Sequence, residues 1–370
     1  MENYGSIDLQ LNIKNPEKPA LQKTYLSYIH NFRGLAILII IAYHCLSEVS
    51  WGKNRQVGDF LNDLLSNGSV YFVFISGFLF QHLIFKYRFK NYLIKKFKNV
   101  LMPYFFMSIP AIFYIVFIKG MHSIPFASAI WNKSILYQIA WLYCTGMALV
   151  PYWFIPMISI FYLISPILIL IDRNEKLYYM MPVLFIVSSM VHRPEHNLGI
   201  IHSLTYFFSI YLFGMWARKF QKSLLSQIGK YSHLLIIIVL MILPINFFTQ
   251  NMHGNIHSQK MFSSENGLID FQLFGKLAWC LLLIYYFNKY DYVIQKIKFD
   301  LLAEMSFGLY FIHAYFLSIF SKYLQPIPIF KFDSIFEYFF IVAATCSISM
   351  GFLWLMKKLF GYKSKYITGY

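Results

Sequence analysis

The chain has 370 residues, of which 58% are hydrophobic, 20% aromatic and only 13% charged, with a formal net charge of +16. Soluble domains carry about a quarter charged residues, so this composition excludes a globular soluble protein and indicates a polytopic membrane protein. The charge does not signal nucleic-acid binding either, because the basic residues fall in short links between apolar runs, where the positive-inside bias places them.

The first 28 residues are polar and carry Lys14, Lys18 and Lys23, unlike a cleaved signal peptide. They read as a cytoplasmic N-terminal segment (1–28), followed by a membrane domain over 29–360 and a short tail over 361–370. A span needs about 20 mostly apolar residues. Ten stretches qualify: Ile29–Leu46, Ser69–Phe85, Val100–Ile118, Tyr152–Ile171, Leu177–Val191, Ile201–Ala217, His233–Phe248, Phe271–Phe287, Leu301–Phe320 and Ile335–Leu355. With the N-terminus in the cytoplasm, 22 of the 32 basic residues fall inside and 8 outside, while Arg33 and Lys276 lie within spans. That asymmetry predicts an all-α protein of about ten transmembrane helices with both termini cytoplasmic. The apolar stretch Ser134–Val150 would reverse every later link if it crossed, so a re-entrant or interfacial helix is expected there.

Within the first span, Arg33 and His44 are eleven residues apart. At about 100° per residue they share one helix face, roughly 16 Å apart along it. Glu48 follows His44 at i+4, where a carboxylate can orient an imidazole and raise its basicity. Arginine at a membrane edge often only snorkels, but ionisable groups inside a span generally face the interior and mark function.

In the ninth span, Ser306, Tyr310 and His313 share a face, with Glu304 on the opposite one. They are expected to line a cavity, although three polar groups satisfied within a bundle would show the same pattern. Trp153 and Trp131 suit stacking on a sugar, or anchoring at the membrane boundary. His192, His196, His253 and His257 lack paired ligand spacing and read as surface histidines. Cys45, Cys144, Cys280 and Cys346 are scattered singly, with neither disulfide framework nor metal-ligand spacing.

Several of these stretches together resemble the acyltransferase-3 family. FRGLAILIIIAYH carries its Arg, ten residues, His signature at Arg33 and His44. GSVYFVFISGFLF resembles the second span with its Ser-Gly at Ser76 and Gly77, and KKFKNVLMPY the basic link ending in proline. YWFIPMISIFYLISP resembles the Trp-Phe span, and EMSFGLYFIHAYF the late Ser-Phe, Tyr, His span.

The resemblance covers nearly the whole chain. It implies a multi-pass protein of the inner or plasma membrane that moves an acyl group, usually acetyl, from cytoplasmic acyl-CoA to a carbohydrate, with no metal. In that reading the partners are membrane lipid and a surface polysaccharide or lipid-linked sugar. His44 is the base, Glu48 orients it, and Arg33 with Lys95, Lys96 and Lys98 holds the donor's phosphates. Ser76, Trp153, Ser306, Tyr310 and His313 line the substrate cavity. Two positions depart from the family pattern: Lys96 and Asn99 stand where Arg-x-x-Arg is usual, and Val70 where an acid is common. A carrier for polysaccharide intermediates is the competing class, but it would bring internal symmetry between halves, and none is visible.

Overall fold

The structure, a computed structural model, describes residues 26–248, 257–262, 269–296, 299–324 and 334–370. The polar segment expected over 1–28 therefore lies almost wholly outside the described residues. The main helices are α1 (Ser27–Cys45), α2 (Arg55–Leu65), α3 (Ser69–His82), α4 (Phe89–Lys96), α5 (Met102–Phe113), α6 (Ile135–Thr145) and α7 (Phe154–Leu163). They continue with α8 (Ser165–Arg173), α9 (Met181–Met190), α10 (Ile200–Lys219), α11 (Gln221–Phe248), α12 (Phe271–Lys289), α13 (Asp300–Ile319) and α14 (Ser334–Phe360).

The protein is thus an all-α, multi-pass membrane protein. Seven helical stretches among the described residues are individually long and apolar enough to cross a bilayer, or eight if a bent pair is one span. Three of the ten expected spans differ from that set for visible reasons. Helix α9 has only ten residues, because the chain before it, Glu175–Met180, is wound as a 3-10 helix and Pro182 sits in the first turn of α9. Helix α12 is 19 residues long but carries Gln272 and Lys276, which lower its apolar character. The Trp-Phe span is one arm of the bent pair: α6 is followed, after a 75° bend, by Val150–Leu163. Helix α6 has eleven residues, about 16 Å, which is too short to cross alone.

Links between passes alternate between the two ends of the bundle. At one end, Asn54 donates to Ser334 Oγ (2.9 Å), and a two-residue parallel pairing joins Arg193–Pro194 to His257–Ser258. At the other, Gln221 donates to the Tyr28 hydroxyl, Arg218 donates to His82 (3.1 Å), and Lys219 pairs with Asp172 (3.0 Å) and Glu175 (3.1 Å). Each of these contacts joins segments that the charge count assigns to one and the same side.

Helix α1 is the hub and packs on α3, α12, α13 and α14. It runs parallel to α13: Arg33 reaches the Ala303 carbonyl near both N-termini, and His44 meets His313 one helix length further on. Helices α3 and α10 approach most closely. A Cβ on Gly77 would lie 2.0 Å from the Tyr211 carbonyl oxygen, and one on Gly214 2.1 Å from that of Phe74. Only glycines allow backbones that near, which is how membrane helices gain packing without a hydrophobic drive between them. The Ser-Gly of the second span is therefore a packing element on its glycine side.

Candidate functional site

Helix α1 stops one residue after His44. The chain tightens into a 3-10 turn, Leu46–Glu48, and turns extended at Val49. Two of the carbonyls freed at this end find donors: Ser47 Oγ bonds that of His44 (3.0 Å) and Trp51 Nε1 that of Leu46 (3.1 Å). His44 is thereby fixed in the last turn, beside a cavity of about 530 Å³.

Four links build the cavity wall. The first supplies Trp51, Asp59 and Asn62, the last two from amphipathic α2, and then Asn67, Gly68 and Ser69 at the start of α3. Asn67 takes φ +57°, a conformation asparagine tolerates better than most residues. Its amide donates to the Tyr206 hydroxyl, which donates to Asp270 (2.8 Å), whose other oxygen caps α12 through the Leu273 amide (3.0 Å). The second link supplies Val150, Pro151 and Trp153 from the bend after α6. Gly146 makes this bend with φ +75°, and a Cβ there would fall 2.5 Å from the backbone of Tyr152 and Trp153. Tyr152 donates to the Phe311 carbonyl (2.9 Å) and Tyr310 to that of Pro151, so the bend is bound to α13. The third and fourth links supply Arg193, Asn197 and His257.

Arg193 is 5% exposed. Its guanidinium lies 4.5 Å over the Trp153 ring and 5.6 Å over Phe207, and donates to Asn197 (2.7 Å). Burial disfavours its charge, and nearby Tyr206, Tyr43 and Asp270 offset part of that. The far wall is apolar: Ile40, Phe72, Phe154 and Phe307. Aromatic faces beside a few fixed polar groups are what a small polar ligand with apolar faces needs.

Of the residues expected from sequence, His44, Trp153 and Tyr310 line this cavity. His313 sits behind His44, fully buried, with its ring centroid 5.4 Å from that of His44. Ser306 is fully buried two turns deeper on α13, and Ser76 is two turns beyond Ser69 on α3; neither is a lining residue. Glu48 lies past the helix end, also outside the lining set, so the imidazole facing His44 from another helix is the group positioned beside it.

Arg33 lies seven residues beyond Ile40 along α1, about 10 Å, and does not line the cavity. Its guanidinium donates to the Ala303 carbonyl (2.8 Å) and lies 3.3 Å from His30. Lys96 stacks over Tyr162 (4.6 Å) and Tyr92 (5.4 Å), while Lys95 and Lys98 are exposed. The basic link and Arg33 thus occupy separate surroundings.

Of the histidines read as surface ones, His196 and His257 are exposed and His192 is not. His192 is 6% exposed and its amide bonds the Met261 carbonyl. His196 stacks on Phe126 at 3.9 Å. His257 lines the cavity, brought there by the pairing with Arg193. His253 lies outside the described residues. Arg193, Asp59, Asn62 and Asn197 carry no motif; only the amphipathic pattern of Arg55–Leu65 offered a signal, since a link that folds as a helix must pack on something.

Residues 26–354 match the family model of an acyltransferase domain, the acyltransferase-3 type. No curated protein and no solved structure matches the chain.

Proposed function

Because the chain belongs to the acyltransferase-3 family, and so is a membrane acyltransferase, we propose that it moves an acyl group, acetyl foremost, from cytoplasmic acyl-CoA to a hydroxyl of a cell-surface polysaccharide or its lipid-linked precursor. We place it in the inner or plasma membrane, with the His44 end of the bundle facing outward. The observation that carries this reading is the position of His44. Its side chain has no hydrogen-bond partner among the described residues, and it borders a cavity of about 530 Å³ at the end of α1 remote from Arg33.

The acceptor sugar enters between the first and third links. Trp51 and Trp153 pack on its apolar faces, while Asp59, Asn62 and Asn197 bond its hydroxyls. His44 removes the proton of the attacking hydroxyl. The oxygen attacks the thioester carbonyl, the carbon–sulfur bond breaks, and the thiolate leaving group takes the proton from the imidazolium. Arg33 and, in its own surroundings, the basic link with Lys95, Lys96 and Lys98 supply cations for the donor's phosphates at the opposite end. The roughly 16 Å from Arg33 to His44 is about one extended pantetheine arm.

The test is to supply membranes containing the protein with radiolabelled acetyl-CoA and to follow label into surface glycan. Label must appear with the protein and vanish in His44→Ala at equal abundance. Transport of glycan without labelling would overturn the reading in favour of a carrier.

A further inference from the structure

We propose that His44 works as half of a two-histidine pair, with His313 accepting its N–H and holding it in the basic tautomer. The proposal rests on the acyl-transfer reading for its chemistry, but its geometry stands apart from the identity of the substrate.

Tautomer logic fixes each nitrogen in turn. His313 Nδ1 lies 2.8 Å from the Leu309 carbonyl oxygen, one turn earlier on the same helix. A carbonyl only accepts, so Nδ1 carries the proton and Nε2 carries a lone pair. That Nε2 is buried and has no hydrogen-bond partner among the described residues. Leaving a buried acceptor unmet is costly, so such a group in a native protein needs an explanation.

The ring across from it is His44, 5.4 Å between centroids and tilted by 34°. A neutral imidazole has one N–H and one lone pair. If His44 presents its N–H to His313, directly or through one water, its remaining nitrogen is a free base on the cavity side. The other rings that border the pair are Tyr43, 5.5 Å from His44, and Tyr310, 6.5 Å from His313. The Tyr310 hydroxyl is turned toward the Pro151 carbonyl, to which it donates, whereas His313 Nε2 carries a lone pair with no donor among the described residues. His313 is thus the group placed to take the N–H.

During transfer His44 gains the proton of the acceptor hydroxyl as the new carbon–oxygen bond forms. The resulting imidazolium shares its inner N–H with His313 Nε2 until the departing thiolate sulfur takes the proton from the cavity side. No net charge is left on either ring. His313 does not touch substrate; it is a positioning residue, equivalent in role to the third member of a catalytic triad.

Two measurements test the pair. The first needs no substrate: nitrogen-15 histidine spectra of the full chain in detergent or bilayer, with His313→Gln identifying its signals. They should show His313 protonated on Nδ1, and should show the His44 signals shifting in the variant. Protonation of His313 on Nε2 would overturn the proposal whatever the enzyme acylates.

The second is kinetic. His313→Leu should lower kcat about a hundredfold or more, the scale of a lost acid–base partner, with KM for both substrates within about threefold. His313→Gln, whose carbonyl stands near Nε2, should recover part of the loss. His44→Ala with His313→Leu should be no slower than His44→Ala alone, since residues acting as a unit are not additive. A kcat for His313→Leu close to wild type, or losses that multiply in the double variant, would remove His313 from the mechanism. If His313→Leu accumulates poorly, the cycle is run with His313→Gln, judged by the same additivity criterion.

Discussion

The two ends of α1 are built on opposite principles. At the Arg33 end the half-buried charged group has partners within the protein: its guanidinium bonds the Ala303 carbonyl and lies beside His30. At the His44 end the helices part. The imidazole borders open space, and the ring behind it has a buried nitrogen with no partner among the described residues. One helix face thus carries a charged group with protein partners and an imidazole that borders open space. An unsatisfied buried polar group is expensive, so the lone pair behind His44 is held at a cost in stability. Active sites commonly show this difference, because local rules of satisfaction are broken where groups are poised for chemistry.

The largest effect should come from the exposed end. His44→Ala is expected to reduce glycan acylation about 10²–10⁴-fold, the usual range for a general base, while thermal unfolding in detergent stays at or above that of wild type. Wild-type acylation in the variant would break the comparison at its more important end.

The next effect belongs to Arg33, where structure and donor binding make separable demands. Loss of a hydrogen bond to a charged group costs about 1.5–3 kcal/mol. If that cost is all borne by the bond to Ala303, Arg33→Ala lowers the unfolding temperature and leaves acyl-CoA affinity alone. If Arg33 also meets the donor, calorimetry should show acyl-CoA affinity falling tenfold to a hundredfold, with Arg33→Lys between. Equal affinities for all three proteins would make the arginine purely structural.

How much of this contrast was legible follows from the range of each interaction. Arg33 and His44 share one helix, so their common face is a local property of spacing and periodicity. That Asn54 and Ser334 lie in links of one side was legible too, because charge asymmetry groups links without any knowledge of packing. The cavity was not. Its wall depends on Arg193 meeting His257 and on His44 meeting His313, pairings across distant links and helices that no local pattern encodes. The span count fell between these cases. Hydrophobicity reported that chain passes through Leu177–Val191, but not that Pro182 and a 3-10 segment leave only ten α-helical residues there.

A smaller effect is expected at the cavity rim. Asp59 is exposed on α2 and, among the described residues, is engaged by an i,i+4 pairing with Arg55 at 3.8 Å, itself exposed. Such a pair adds little stability, so Asp59→Asn should leave unfolding unchanged. If Asp59 bonds an acceptor hydroxyl, KM for the acceptor should rise about threefold to tenfold, one hydrogen bond's worth, with kcat steady. An unchanged KM would move the acceptor away from α2.

The smallest effect is expected for Glu48, and it sharpens the comparison by elimination. The sequence places this carboxylate one turn past His44 on the same face, which makes it the natural residue to orient the imidazole. That placement assumes the helix continues. It does not: α1 ends at Cys45, and Glu48 closes a 3-10 turn whose residues advance about 120° each rather than 100°. Three residues of the tighter turn are enough to rotate the side chain off the face that His44 presents to the cavity. Orientation of the imidazole then falls to His313, which approaches from a separate helix and does not depend on where α1 ends. Glu48→Gln keeps the shape and removes the charge, so it should change kcat by less than about threefold, against a hundredfold or more for His313→Leu. A loss in Glu48→Gln that matches the one in His313→Leu would return the orienting role to the carboxylate. It would also mean that the turn after α1 rewinds into helix when substrate is bound.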